Sequence, residues 1–132
     1  MYSARPIAWA TTSWTSASAD RMGRPRREQL KKRGIALILD YAPNHIAADH
    51  PWVTNRPECL LAGSEGDLLL RPEAFMRISG GVYAKGRDAY YEPWQDVLHL
   101  NAFSAELPQT GAATIATIAD QCNGERCDMA RC

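Results

Sequence analysis

The sequence predicts an α/β chain, and three features carry that prediction. A short helix that stops on a glycine runs at once into an unbroken apolar strand. A second succession of helix and strand returns near the end of the chain. Between the two lies a long stretch rich in Pro, Asp, Asn and Gly with no sustained periodicity.

The first helix is expected over Pro25–Arg33. Pro25 suits a first turn, Glu28 lies near the positive end of the helix dipole, Lys31 to Arg33 near the negative end, and Gly34 supplies the stop. Ile35, Ala36, Leu37, Ile38 and Leu39 then form an apolar run closed by Asp40, the pattern of a strand buried on both faces of a parallel sheet. The excursion begins after Asn44, and ordered loops of such length are usually functional. Within it, Phe75–Ser79 and Val82–Lys85 flank Gly80-Gly81, which predicts a small hairpin with a two-residue turn. Trp94 to Asn101 leads to a second helix over Ser104–Asp120, in which Ile115, Ile118 and Ala119 share a face and Pro108 and Gly111 weaken the first half. A last short strand is expected over Glu125–Ala130, with Cys127 buried in it as a small apolar group. Two parallel strands need neighbours and helices on both faces, so the chain reads as a part of something larger.

Composition excludes several classes. Fifteen Lys and Arg balance fifteen Asp and Glu, so no overall field favours nucleic acid or an anionic membrane. The cluster Arg21, Arg24, Arg26, Arg27, Lys31, Lys32 and Arg33 reads as the solvated face of the first helix rather than a nucleic-acid contact. No apolar run reaches the ~20 residues of a membrane span. No secretion signal is read in Met1–Ala19, where Thr11, Thr12, Ser13 and Thr15 interrupt any apolar core. Cys59, Cys122, Cys127 and Cys132 lack the paired short spacing of a structural zinc site, which favours free thiols and a reduced, cytoplasmic setting.

Two motifs carry chemistry. Leu39-Asp40-Tyr41-Ala42-Pro43-Asn44-His45, followed by Asp49-His50-Pro51-Trp52, resembles the Asp-x-x-x-Asn-His motif that ends the third barrel strand in the α-amylase family, glycoside hydrolase family 13. Gly124-Glu125-Arg126-Cys127-Asp128-Met129-Ala130 resembles that family's Gly-x-Arg-x-Asp-x-Ala at the fourth strand. Gly86-Arg87-Asp88, Tyr90-Tyr91, Trp94-Gln95-Asp96 and Leu100-Asn101 are similar to the intervening loop, and the resemblance runs from about Glu28 to Met129.

The resemblance implies a partial (β/α)₈ TIM barrel covering roughly the third and fourth strands, with catalytic groups at the carboxyl ends of the strands. It assigns Asp128 as the nucleophile of a retaining mechanism, which forms a covalent glycosyl-enzyme intermediate. Arg126, two residues earlier on an extended strand, would share its face and hold the carboxylate ionised and aimed. His45 matches the histidine that donates a hydrogen bond to the sugar. Asp40 and Asn44 match positions that shape that loop, and in some members the counterpart of Asn44 ligates calcium. No metal or cofactor is otherwise expected, and the partner implied is an α-glucan or oligosaccharide, with no nucleic acid and no membrane. Read without the motifs, Asp128 and Arg126 are a surface ion pair; Asp40, Asn44, His45, Asp49 and His50 can also be read as a metal cluster, which no familiar spacing supports. Trp52, Trp94, Tyr90 and Tyr91 either stack on sugar rings or anchor loops.

A retaining glycosidase needs a second carboxyl group as its acid, about 5 to 5.5 Å from the nucleophile. In the family that acid is a Glu on the fifth strand, a further Asp follows on the seventh, and both would lie beyond Cys132. Glu125 departs from the apolar residue usual at its place, and Ala102-Phe103-Ser104 replaces a common Asn-Pro. The expectation is a fragment of an α-glucosidic hydrolase or transglycosylase, inactive alone. Residues 28–132 form the partial barrel, and 1–27 are an unassigned segment, read as out of frame, with the reading frame truncated or frame-shifted upstream of about Glu28. The alternatives are a non-catalytic carbohydrate-binding fragment and a truncated gene product without function.

Overall fold

The computed structural model describes residues 16–87 and 90–127, with side chains from Arg24 onward, as a mixed α/β chain in which helices and strands alternate. The first helix, α1, spans Ser16–Lys31, so it starts earlier than the sequence suggests and carries Pro25 inside it rather than in its first turn. Pro25 removes one amide donor from the helix interior, so the helix carries it at a cost. The helix runs without a break across residues 27 and 28. It stops as predicted, because Gly34 adopts φ +69° and lets the Gly34 and Ile35 amides fold back onto the Lys31 and Leu30 carbonyls at 3.0 and 3.1 Å. The basic side chains from Arg24 to Arg33 lie on this solvent-facing element, with Arg27 half-buried.

Strand β1, Ile38–Tyr41, pairs in parallel with the last strand, here labelled β6, Gly124–Cys127. Asn123 sets the register. Its amide donates to the Leu37 carbonyl at 2.8 Å and its side-chain oxygen accepts from the Leu37 amide at 3.1 Å, a reciprocal clasp just ahead of both strands. Two expectations are corrected here. The apolar run does not become a strand buried on both faces: extended pairing begins only at Ile38, and Ile35 and Ile38 are 51% and 64% exposed. Nor is Cys127 buried; it is exposed. Both residues were read as if further strands and helices covered the pair, and among the described residues only one partner strand is present.

The excursion between these strands contains the core. It holds β2, His45–Ala47; a short helix α2, Trp52–Asn55; a 3₁₀ turn, Pro57–Cys59; α3, Glu65–Leu70; the hairpin β3, Phe75–Ile78, and β4, Gly81–Ala84; and β5, Val97–His99. Strand β2 pairs antiparallel with β5, and single bridges Leu60 to Leu100, Ala62 to Tyr83 and Lys85 to Leu98 knit the pieces together. Val53, Leu60, Tyr83, Leu98 and Leu100 pack at the centre, with Trp52, Ile46, Met76, Ile78 and Leu107 around them. The hairpin forms as predicted but turns one residue earlier: Ser79 and Gly80 take φ +48° and +81°, the left-handed pair that suits a tight hairpin, and Gly81 starts the return strand. Helix α3 opens on a capping box in which Ser64 and Asp67 satisfy each other's backbone amides.

Helix α4, Leu107–Ala119, is shorter than Ser104–Asp120 because Pro108 fits only its first turn. It buries Ile118, leaves Ala119 exposed, and passes Tyr41 so closely at Gly111 that a Cβ there would lie 3.2 Å from the phenol oxygen. Its end is tied to α1, since Arg27 donates to the Asp120 carbonyl at 3.3 Å and Arg24 approaches the Asp120 carboxylate at 3.7 Å. Among the described residues no helix is long and apolar enough to cross a membrane.

Candidate functional site

The parallel register puts Asp40 opposite Arg126. Paired residues of a parallel ladder project to the same face, and alternation then gives Ile38, Asp40 and Arg126 one face and Leu39, Tyr41 and Cys127 the other. On the first face the guanidinium donates from Nε to Asp40 Oδ1 and from Nη2 to Oδ2, both at 2.8 Å. This is a bidentate pair that fixes the plane of both groups. It uses two of the five guanidinium N–H donors. Asp128 itself lies outside the described residues.

Strand β1 is followed by Ala42, Pro43 and Asn44 and then directly by β2, so His45 and Asn44 sit just beyond the carboxyl end of β1. Asn44 is buried. Its side-chain amide donates to the Arg87 carbonyl at 3.1 Å, and its backbone carbonyl accepts from the Leu100 amide at 2.9 Å. The same amide nitrogen lies 3.5 Å from His45 Nδ1, the outer limit of a hydrogen bond. A donor facing Nδ1 favours the tautomer that carries its proton on Nε2. The imidazole is half-buried and tilted on the Trp94 indole, with ring centroids 5.0 Å apart and planes at 59°.

A histidine without a role in the sequence reading, His99, is the antiparallel partner of His45. Its Nδ1 is buried without a hydrogen-bond partner among the described residues, and burial, with a smaller contribution from Arg87, lowers its pKa. Nothing local in the sequence points to this pairing, which depends on the β2–β5 register. His50 is likewise held toward its neutral form by burial, against a smaller opposing pull from Asp49, and its Nδ1 accepts from the Trp52 amide at 3.1 Å.

The aromatic residues divide. Trp52 packs on the core and meets His50 edge-on at 5.1 Å, and Trp94 lies against His45, whereas Tyr90 and Tyr91 are exposed. Among the described residues no three His, Cys, Asp or Glu side chains gather in a set able to hold a metal ion. The structure thus brings together Asp40 with Arg126 and, separately, Asn44 with His45, Arg87 and Trp94. No model of a known protein family matches the chain, and no curated protein matches it.

Proposed function

We propose that the chain is the third-to-fourth-strand portion of an α-amylase-type retaining glycosidase barrel, directed at α-glucosidic bonds and inactive on its own. The observation that carries this reading is the pairing of Asp40 with Arg126. The two residues belong to different motifs, and the reading requires those motifs to lie on neighbouring parallel strands. A parallel pair in register, with both residues on one face, is the arrangement the reading demands.

Chemically, Arg126 supplies a fixed cation and Asp128, by motif, the nucleophile. Asp40 orients the guanidinium, and His45 supplies a donor to a sugar hydroxyl from Nε2 in the tautomer that a donor at Nδ1 favours. Inactivity follows from the mechanism, which needs a carboxylic acid opposite the nucleophile. No carboxylate in the two motifs takes that role. The test is titration of the full chain with maltoheptaose, followed in the imidazole resonances of His45 and the side-chain amide of Asn44. Saturable shifts in these groups without turnover are expected. Absence of any shift at millimolar ligand would remove the carbohydrate reading, and turnover abolished by Asp128→Asn would overturn the claim of inactivity.

A further inference from the structure

We propose that Trp94 and Gly86 act together as positioning residues for His45, the indole fixing the plane of the imidazole so that Nδ1 stays turned toward the Asn44 amide, and the glycine letting the supporting strap come close enough to do so. The inference rests on the carbohydrate reading for its purpose, but its geometry stands on separate observations. Trp94 is tilted against the His45 ring at 5.0 Å. Gly86 lies against the root of the same side chain, where a Cβ would come within 2.9 Å of His45 Cβ and 2.7 Å of Val97 Cγ2, closer than carbon atoms approach in folded proteins. Only glycine allows the backbone that close.

The strap is held shut behind this contact. The Trp94 amide donates to the Gly86 carbonyl and the Gly86 amide to the Val97 carbonyl, each at 2.9 Å, so the strap, the paired backbone of Gly86-Arg87 and Trp94-Gln95, has its neck at Gly86 and Trp94. Next to the neck, the buried Lys85 ammonium reaches Gln95 Oε1 at 2.6 Å and the Pro72 carbonyl at 3.0 Å. A buried ammonium is costly unless its donors are satisfied, so these two acceptors lock the start and end of the strap to the hairpin region. The Arg87 carbonyl, just inside the neck, receives the Asn44 amide that faces His45 Nδ1. His45 is therefore bounded by an aromatic face, a close backbone and an amide donor. All three depend on one closed strap. This assigns Trp94 a duty other than stacking on sugar.

The experiment is ¹⁵N and methyl NMR on the full chain in Trp94→Ala, Trp94→Leu and Trp94→Phe. Wild type is expected to show His45 with its proton on Nε2. The Ala and Leu variants should show mixed tautomers, and Trp94→Phe should restore the wild-type pattern. The Leu98 methyl signals, from a fully buried side chain in the same strand pair, report whether the fold persists. Should Trp94→Ala lose them, Trp94→Leu, which keeps apolar volume without an aromatic ring, makes the decision. Maltoheptaose affinity should fall about 3- to 10-fold in the Leu variant and return in the Phe variant. An unchanged His45 spectrum in a folded Leu variant overturns the inference. A changed spectrum, in a chain whose wild type gives no response to maltoheptaose, supports the positioning and sinks the carbohydrate reading instead.

Discussion

Asp40 and Arg126 face each other across two parallel strands, with both guanidinium donors 2.8 Å from the two carboxylate oxygens. The geometry is that of a strong pair, yet the side chains remain 37% and 58% exposed, so water screens most of the attraction. Its value lies in orientation more than in stability. Asp40→Asn and Arg126→Gln should each cost no more than about 1 kcal/mol in urea denaturation, with most of that loss erased in 1 M salt. A loss of several kcal/mol from either would mean that this face is shielded from water.

The helix stop at Gly34, the hairpin and the two motif-bearing strands were legible in the sequence because each rests on local chemistry. Glycine reaches φ +69°, and a left-handed residue pair at Ser79-Gly80 closes a tight turn between two short β-prone segments. What was not legible depended on contacts between distant residues. Cys127 and Ile38 were expected to be buried because strands of a parallel sheet are usually covered on both faces, but burial needs a neighbour that local pattern does not reveal. The excursion read as a loop because β2, α2 and α3 are each too short to show a period. His99 faces His45 for the same kind of reason, through strand register alone.

Because the core sits in the excursion, stability should respond there and not on the exposed face of β1. Leu98 is fully buried, and Leu98→Ala should cost about 2–5 kcal/mol through lost transfer energy and the cavity left behind. Ile38→Ala, at a side chain 64% exposed, should stay within about 0.5 kcal/mol. Comparable losses at both sites in chemical denaturation would place the two strands of the parallel pair inside the same core as Leu98.

Gly86 offers a sharper steric test. A methyl group there meets Val97 Cγ2 at 2.7 Å and His45 Cβ at 2.9 Å, on opposite strands of the β2–β5 pair. Neither neighbour is the flexible end of a long side chain. Gly86→Ala should therefore cost about 1–3 kcal/mol, the range for overpacking, and weaken hydrogen-exchange protection at the Gly86 and Trp94 amides. Gly66→Ala is the control, because the nearest atom to a Cβ there, Ser64 Oγ at 3.5 Å, is at ordinary contact distance. Equal behaviour of the two variants would show that the strap gives way freely.

Two of the histidines, His50 and His99, carry the expected response to pH. Burial lowers the pKa of both His50 and His99, the first opposed by Asp49 and the second reinforced by Arg87, so the folded chain favours their neutral forms. In the unfolded chain both return to about 6.5. Above that value neither state is protonated and the stabilisation is complete. As the pH falls through about 6.5 the unfolded state takes up protons first, and folding stability declines until the lowered folded-state pKa values are passed. The Trp52 amide reinforces this at His50, since its hydrogen bond to Nδ1 requires that nitrogen unprotonated. The urea midpoint should therefore drop between pH 7.5 and 5.5, above the range in which carboxylates such as Glu65 and Asp67, whose pKa values are lowered, begin to titrate. His50→Gln with His99→Gln should flatten the profile. A midpoint that rises on acidification across this interval would contradict the neutral assignment of both rings.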